Sequence, residues 1–249
     1  MTSDVVGYYN KILEIGEVEN AAGRLNMVVP ENMLKFPNHF SLAQVLLYSP
    51  KALKRIKQLI RGNRQAYIVP GIASTEDVKL SIRLEIPIMT GEPSKNNLYS
   101  SKSGCKKIFQ LADVPTPINA VDIYDPQEFL LSLAKLIVNN LYVSTWIFKI
   151  DDEFGARGHA SFSIEQVKSL NDLKKKQVEI SEELVDKVIG ILTKMLPKKV
   201  KIAMPRLFTT WNEYLSAFCR VGGIIEAAPT CQPTQMNSPS ISFFIEPDG

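Results

Sequence analysis

A lysine near the end of an apolar strand, followed at once by a glycine-containing loop, is the feature that most constrains this sequence. Ile147–Ile150 predicts the strand, and Lys149 within it offers a point charge to phosphate oxygens. Gly155 and Gly158 permit the φ > 0 turns and close backbone approach that orient successive N–H groups toward an anion, and Arg157 adds a forked donor. The window indicates a nucleotide-binding loop. A hairpin with an acidic turn and an exposed Lys149 is the alternative left open.

The order of elements before this loop favours the nucleotide-binding interpretation. Ser101 begins a predicted helix that carries Lys102 and Lys106, Val114–Pro117 leads into the next strand, and a long helix separates that strand from Lys149. This order resembles the ATP-grasp fold, in which a basic residue at a helix start, a proline-containing strand entry, a strand lysine and a flexible glycine loop follow one another. The resemblance extends over the whole chain and implies ATP, with Mg²⁺, as the cofactor.

The resemblance also implies which side chains contact the phosphates. Lys102 or Lys106 would take the first phosphate-contacting place, Lys149 would take the second, and residues 155–159 would form the lid loop. The expected cofactor-binding residues are Lys102, Lys106, Lys149, Gly155, Arg157, Gly158, His159 and Met204.

Two parts of the sequence depart from the family pattern. Ile202–Pro205 would lie along the adenine, but Ala203 or Met204 stands where an acidic residue is common. Mg²⁺ is usually held by one or two carboxylates together with the phosphates, and the family supplies them as an Asp or Glu followed by Glu-x-Asn. That pair is missing after residue 222, so metal ligands and catalytic residues stay unassigned. The late carboxylates are Glu226, Glu246 and Asp248.

Three functions remain in consideration. The first is an ATP-grasp-like nucleotide-binding or regulatory module that is not catalytically complete, and the missing Glu-x-Asn pattern favours it. The second is the nucleotide-binding part of an ATP-dependent carboxylate–amine, or thiol, ligase. The third is a scaffold that binds no nucleotide. Fold alone does not choose among them, because function resides in the site.

Three further runs, Tyr67–Gly71, Phe148–Gly155 and Gly222–Ala227, resemble the ATP-grasp-like region of a larger calmodulin-binding protein of testis and sperm. That resemblance implies a cytoplasmic parent protein, associated with the flagellum or cilium. A calmodulin-binding IQ motif requires adjacent Ile and Gln with Arg four residues after the Gln. Ile56–Gly62 does not meet this spacing, so we expect calmodulin to bind only through regions outside this chain.

Composition limits the other functional classes. The 249 residues carry a formal net charge of +3, and the lysines are spread out, so no nucleic-acid surface is evident. The three cysteines are far apart and predict neither a disulfide framework nor a zinc site. The apolar runs are too short to span a membrane.

Caps and periodicity predict an α/β chain with a mixed α+β second half. Residues 1–95 are expected to form a Rossmann-like pre-ATP-grasp subdomain, and residues 96–249 an ATP-grasp-like region that is incomplete at its C-terminal end, with residues 90–101 as the linker. Helices are predicted after a cap at Thr2–Asp4, from Ser41 to Leu47, from Pro50 with Gly62 just past its end, and from Ser74 to Leu84. Further helices are predicted from Lys102 to Ala112, from Pro126 with Asp125 as its cap, and from the cap Ser181 to a stop at Pro197. A capping box is predicted at Ser163–Gln166, and a hairpin turn at Gly222–Gly223. Strands are predicted at Arg24–Val29, Tyr67–Val69, Ile86–Met89, Ile118–Val121, Tyr142–Ile150, His159–Phe162, Val200–Met204, Glu213–Val221, Gly223–Ala227 and Ser240–Ile245.

Overall fold

The chain divides into two compact units, residues 1–93 and residues 94–249. The computed structural model describes residues 3–62, 65–175, 180–231, 235–237, 239–241 and 243. The predicted fold class, α/β with a mixed α+β second half, is confirmed. The assignment of residues 1–95 and 96–249 as pre-ATP-grasp-like and ATP-grasp-like domains stays a prediction. None of the helices in the described ranges is long and apolar enough to span a lipid bilayer.

Residues 1–93 are mainly helical. Ser41 and Ser74 each close a capping box, with Gln44 and Asp77 respectively, which explains where two of the helices begin. Gly62, with φ +86°, follows a third helix, as the sequence predicts. The helices are α1 (Ser3–Ile15), α2 (Ala21–Arg24), α3 (Leu42–Leu47), α4 (Pro50–Ile60) and α5 (Thr75–Leu84), with a 3₁₀ turn at Met33–Lys35.

The strands predicted for this first unit are largely absent from its described residues. Ile68 and Ile88 form a single parallel bridge, so the predicted parallel pairing is reduced to one residue pair. The strand expected at Arg24–Val29 is wrong: α2 ends at Arg24, and residues 25–30 are irregular. Among the described residues, no neighbouring strand provides hydrogen-bond partners for the backbone of this segment, and a strand requires such a partner. A small core forms around Ala43, Leu53, Leu80 and Leu84.

Residues 94–249 contain a five-stranded antiparallel sheet in the order β1-β5-β2-β3-β4. The strands are β1 (Asn119–Ala120), β2 (Thr145–Ile150), β3 (His159–Ser163), β4 (Lys201–Ile202) and β5 (Gly223–Ala227). The helices are α6 (Pro93–Ser100, which starts at the unit boundary), α7 (Lys102–Leu111), α8 (Pro126–Asn139), α9 (Lys168–Lys175), α10 (Glu182–Lys199) and α11 (Trp211–Val221), with a 3₁₀ turn at Ile164–Gln166.

The two faces of this sheet have different environments. Trp146, Phe148 and Ile150 of β2 are buried in a large core with α8, α10 and α11, and the alternate residues of β2 are only partly buried. Lys149 lies on that second face. Residues paired directly across antiparallel strands share a face, so His159 and Ile224, both paired with Lys149, lie on it too. The second face is therefore the one that offers charged and polar side chains.

The strand predicted at Glu213–Val221 is wrong, because these residues form α11. Thr210 and Glu213 close a capping box, and Trp211, Tyr214 and Phe218 follow at helical spacing into the core. Aromatic and β-branched residues have a high intrinsic preference for strands. In this segment the helical spacing of the buried residues outweighs that preference. The prediction of a hairpin turn at Gly222–Gly223 is therefore also wrong, because Gly222, with φ +94°, ends helix α11.

Four smaller predictions need correction. Residues 90–101 are not an irregular linker, because Pro93 occupies a first helical position and begins α6. Pro197 does not stop α10. It removes one backbone donor, and the Val200 N–H still closes the last turn on the Leu196 carbonyl. The Ser163 hydroxyl donates to the Ser144 carbonyl and makes no capping box. Of the strand predicted at Ser240–Ile245, residues 240, 241 and 243 are irregular, and residues 242, 244 and 245 lie outside the described residues, as do Glu246 and Asp248.

Candidate functional site

Helix α7 presents two of the predicted lysines to the second face of the sheet. The Ser101 hydroxyl accepts a hydrogen bond from the Gly104 N–H and fixes the first turn, as expected of an N-cap serine. Gly104 is buried against the backbone of Leu98, where a Cβ atom would collide, so α7 lies close to the preceding helix. This start places Lys102 and Lys106 one turn apart on the same side of α7.

Lys106 and Lys149 both bind the carboxylate of Glu226. The Lys106 Nζ lies 2.8 Å from one carboxylate oxygen, and the Lys149 Nζ is bonded to the other. The three residues come from α7, β2 and β5, so tertiary folding assembles this cluster. Glu226 lies on the same face as Lys149, because its partner across the β2–β5 ladder is Ile147.

Glu226 remains charged although it is only 6% exposed. Burial by itself raises the pKa of this carboxyl, but the hydrogen bonds and charges of Lys106 and Lys149 outweigh burial and leave the pKa below its ordinary value. The side chains of the two lysines are also largely withdrawn from water, at 14% and 24% exposed. An ion pair in such a position is screened less by salt than one on the surface.

Lys102 is bound to the backbone that follows β2. Its Nζ donates to the carbonyl oxygens of Ile150, Asp151 and Glu153 at 2.7, 3.3 and 2.6 Å. Burial lowers the pKa of this ammonium, and the charge of Asp151 acts in the opposite direction. An ammonium group has three N–H donors, so these three carbonyls can occupy all of them. In this structure Lys102 anchors the base of the glycine loop.

Asp151 makes the reciprocal contact with the start of α7. Its Oδ1 accepts from the Ser103 N–H at 2.9 Å and from the Ser103 hydroxyl at 3.0 Å. Burial raises the pKa of Asp151 above its ordinary value, and the two Ser103 hydrogen bonds oppose that rise. Asp151 is only 7% exposed, so its carboxylate is not part of a solvated acidic turn. Asp151 and Lys102 thus lock α7 and the loop together from both sides.

The glycine loop is folded upon itself. Gly155 has φ +59°, as expected of a glycine in a tight turn. At Gly158 a Cβ atom would lie 2.6 Å from the Glu153 Cβ and 2.8 Å from the Ile150 Cβ, so close packing requires glycine there. The Arg157 guanidinium is 3.0 Å from the Glu153 carboxylate.

His159 and Met204 differ in their relation to the lysine cluster. His159 pairs with Lys149 across the β2–β3 ladder, and its pKa is lowered by burial first and then by the charges of Lys149 and Lys102. Its carbonyl accepts from the Ala203 N–H at 3.0 Å, and the Met204 carbonyl accepts from the N–H groups of Leu207 and Phe208. Two backbone groups of the segment expected along the adenine, the Ala203 N–H and the Met204 carbonyl, are therefore bonded within the protein.

These elements surround a pocket of about 270 Å³ on the second face of the sheet. Three lysines and one carboxylate line it, so its charged side chains carry an excess of positive charge. His159 supplies a further polar group, and Phe109 and Ile224 supply apolar wall. The lining residues are Ser100, Lys102, Cys105, Lys106, Phe109, Pro117, Lys149, His159, Ile224 and Glu226.

Comparison with known proteins identifies the family of this fold. A family described as "IQCH-like, ATP-grasp" matches residues 93–249, which is more than half of the chain and contains the whole pocket. The chain belongs to the IQCH-like ATP-grasp family. The resemblance to ATP-grasp proteins that the lysine and glycine motifs predict is thereby confirmed.

A curated relative extends the similarity beyond the family match. The chain is 32% identical to IQ motif-containing protein H of Danio rerio over 267 aligned residues, which cover 99% of this chain. The same alignment covers 25% of the zebrafish protein, so the chain spans about a quarter of the length of that relative.

The structure brings four of the eight predicted site residues of this IQCH-like chain to one pocket. Lys102, Lys106, Lys149 and His159 line it, whereas Gly155, Arg157, Gly158 and Met204 do not. Their role in binding a cofactor stays a prediction in every case. Lys102 and Lys149, which are far apart in sequence, both line this pocket.

Sequence reasoning missed the importance of Glu226 as the partner of two lysines, and of Asp151 as a buried acceptor. Glu226 stands within Gly223–Ala227, a run in which a single acid is surrounded by apolar residues. A charged residue in an otherwise buried strand is paired as a rule, and that rule could have identified it. The described part of the chain contains no group of three or more His, Cys, Asp or Glu side chains placed to hold a metal ion.

Proposed function

We propose that residues 94–249 bind a nucleotide through its phosphate groups, with ATP as the ligand. The observation that supports this most directly is that Lys106 of α7 and Lys149 of β2 direct their ammonium groups into the same pocket. Ammonium groups from two separate elements provide converging donors for phosphate oxygens. The proposal agrees with the order of motifs in the IQCH-like ATP-grasp family.

The charge of the pocket supports a polyphosphate over a neutral ligand. Lys102, Lys106 and Lys149 outnumber the single carboxylate of Glu226 in the lining. The pKa of His159 is lowered by burial and by the nearby lysines, so His159 is neutral at pH 7 and can accept as well as donate a hydrogen bond. A ligand with several negative charges would use the positive excess that remains after Glu226 is paired.

The described residues do not by themselves form a resident site for Mg²⁺. Glu226 is the one carboxylate among the residues that line the pocket, and both of its oxygens are bonded to lysines. Mg²⁺ commonly retains waters and binds through phosphates with one or two carboxylates. We therefore propose that any Mg²⁺ enters with the nucleotide.

Thermal or denaturant unfolding with Mg-ATP tests the proposal. At a ligand concentration about 100 times the dissociation constant, a single site adds roughly 2.7 kcal/mol to the free energy of unfolding. We expect this stabilisation for the wild type and its loss in Lys149→Met, because the variant keeps the aliphatic stem and removes the ammonium. Lys174→Met is the matched control, since Lys174 lies outside the pocket and forms an exposed ion pair with Glu165. A folded wild type that Mg-ATP and pyrophosphate both fail to stabilise would contradict the proposal and favour a scaffold.

We propose that, in a parent protein as long as the zebrafish relative, calmodulin binds outside these 249 residues. The printed name of the zebrafish relative refers to an IQ motif, and Ile56–Gly62 here does not have the IQ spacing. We further propose a cytoplasmic location with association to the flagellum or cilium, on the resemblance described above. Localisation of a tagged full-length protein in sperm tests this, and a secreted protein would contradict it.

A further inference from the structure

Glu226 holds the position that an anionic ligand group would need. Its two carboxylate oxygens each bind one lysine, Lys106 at 2.8 Å and Lys149 on the other side. A phosphate group offers the same kind of oxygen acceptors to the same ammonium groups. The Glu226 carboxylate therefore already binds the two ammonium groups that are best placed to bind a phosphate.

The sheet keeps Glu226 in this position. Strand β5 lies between β1 and β2, and Glu226 is paired with Asn119 on one side and Ile147 on the other. All five residues of β5 are buried. Because ladders on both sides fix its backbone, Glu226 cannot move out of the pocket when a ligand enters, and only its side-chain torsions and the two flexible lysines can adjust.

We propose that Glu226 is an internal competitor that determines how much negative charge a ligand must carry to bind this pocket. The inference rests on the nucleotide-binding function proposed above. To replace Glu226 on Lys106 and Lys149, a ligand must break both ion pairs and remain close to the negative charge of Glu226. Breaking the ion pairs costs the same for every ligand. Attraction to the lysines and repulsion from Glu226 both increase with ligand charge, and the lysines outnumber the one carboxylate, so the net attraction increases with ligand charge.

The consequence is selection by phosphate number. Inorganic phosphate brings too little charge to displace Glu226, whereas pyrophosphate, or the diphosphate part of a nucleotide, can contact both lysines at once. Glu226 is thus a specificity-determining residue: it weakens every phosphate ligand and excludes the ones with a single phosphate. The same residue keeps the paired lysines compensated when the pocket has no ligand, since an unpaired buried charge is costly.

Calorimetric titration of the full chain with pyrophosphate and with inorganic phosphate, in EDTA to exclude metal, tests the inference. Removing one charged hydrogen-bond partner typically changes affinity by about tenfold or more. We expect Glu226→Gln to bind pyrophosphate about tenfold more tightly than the wild type and to bind inorganic phosphate measurably. Glu165→Gln is the control: it removes the same formal charge from an exposed ion pair with Lys174 outside the pocket. This variant should leave both affinities unchanged.

A second pair of variants decides the question if Glu226→Gln does not fold with two uncompensated lysines. In the Lys106→Gln background Lys149 is the one remaining ion-pair partner of Glu226, and adding Glu226→Gln frees Lys149 alone. We expect the double variant to bind pyrophosphate more tightly than Lys106→Gln. Binding to the wild type with no gain in Glu226→Gln, or in the double variant, overturns the inference but leaves the proposed function intact. Folded proteins that bind no pyrophosphate with or without Glu226 overturn both.

Discussion

Gly155 and Gly158 of the glycine loop are each required to be glycine for a different physical reason. The φ of +59° at Gly155 is a backbone conformation that L side chains rarely adopt, and the space around it is open. Gly158 instead has neighbours where its Cβ would lie. The sequence predicts that both glycines permit unusual turns or close approach, but only neighbouring atoms from Ile150 and Glu153 determine which property each one uses.

We predict that Gly158→Ala destabilises the protein by about 1–3 kcal/mol, the usual cost of overpacking a close contact. The added methyl group would meet the Cβ atoms of Ile150 and Glu153, which are not flexible side-chain ends. Denaturant unfolding measures the change. Gly190→Ala is the control, because Gly190 lies within α10 with nothing near its Cβ position, and alanine there should stabilise by up to about 1 kcal/mol. Equal effects at the two positions would contradict this account.

Lys102 shows the limit of residue-level prediction at the site. A lysine in the first turn of a helix, in the right order before a strand lysine, predicts a phosphate contact. In the folded chain its ammonium finds three carbonyl oxygens after β2 within reach. The sequence identifies the charge, but it does not identify the nearest acceptors, because these belong to a segment far along the chain.

At the scale of elements, local capping signals are the most reliable guide. The cap residues predicted at Ser41, Ser74, Asp125 and Ser181 all begin helices in the structure. Each depends on residues within four positions, so distant parts of the chain do not alter it. Thr210 carries the same signal before α11, in a region that is predicted as a strand.

We predict that Thr210→Ala reduces the free energy of unfolding by about 1 kcal/mol, the typical value for loss of an N-cap side chain. The Thr210 hydroxyl accepts from the Glu213 N–H, and the substitution leaves that donor without its partner. Urea unfolding followed by far-UV circular dichroism measures the change. Thr193→Ala is the matched control, since Thr193 is exposed within α10 and alanine is favourable there. A loss at position 193 as large as that at 210 would contradict the capping role.

At the scale of the whole molecule, the two units have cores of different size. Four buried residues form the described core cluster of residues 1–93, namely Ala43, Leu53, Leu80 and Leu84. The core of residues 94–249 contains many more, including Phe129, Trp146 and Phe218, which are 0% exposed. Hydrophobic stabilisation increases with buried apolar area, so the second unit should be the more stable one.

We predict two unfolding transitions that different probes separate. Both tryptophans, Trp146 and Trp211, lie in the core of residues 94–249, so tryptophan fluorescence reports on that unit alone. Far-UV circular dichroism reports on the helices of both units. In a urea titration, circular dichroism should show an early phase, from residues 1–93, that fluorescence does not detect. Coincident transitions by the two probes would indicate cooperative, two-state unfolding and contradict the prediction.

The site was predictable in its positive charges but not in their arrangement. Lys106, Lys149 and His159 follow from motif order and line one pocket, whereas Met204 does not line it. An adenine along Ile202–Pro205 would need free backbone groups there, and the Ala203 N–H and the Met204 carbonyl are bonded to β3 and to the following turn. Backbone pairing of this kind is decided by strand neighbours, which motif spacing does not contain.

The sequence alone determined the beginnings of most helices, the lysine strand with its glycine loop, and the membership of the ATP-grasp family. These depend on residues close together along the chain, whose hydrogen bonds and periodicity are local. The tertiary structure alone decided that Glu226 lies between Lys106 and Lys149, that Lys102 binds the loop backbone, and that Asp151 is buried. Such contacts depend on strand order and register, and these are set by long-range packing of the sheet against its helices.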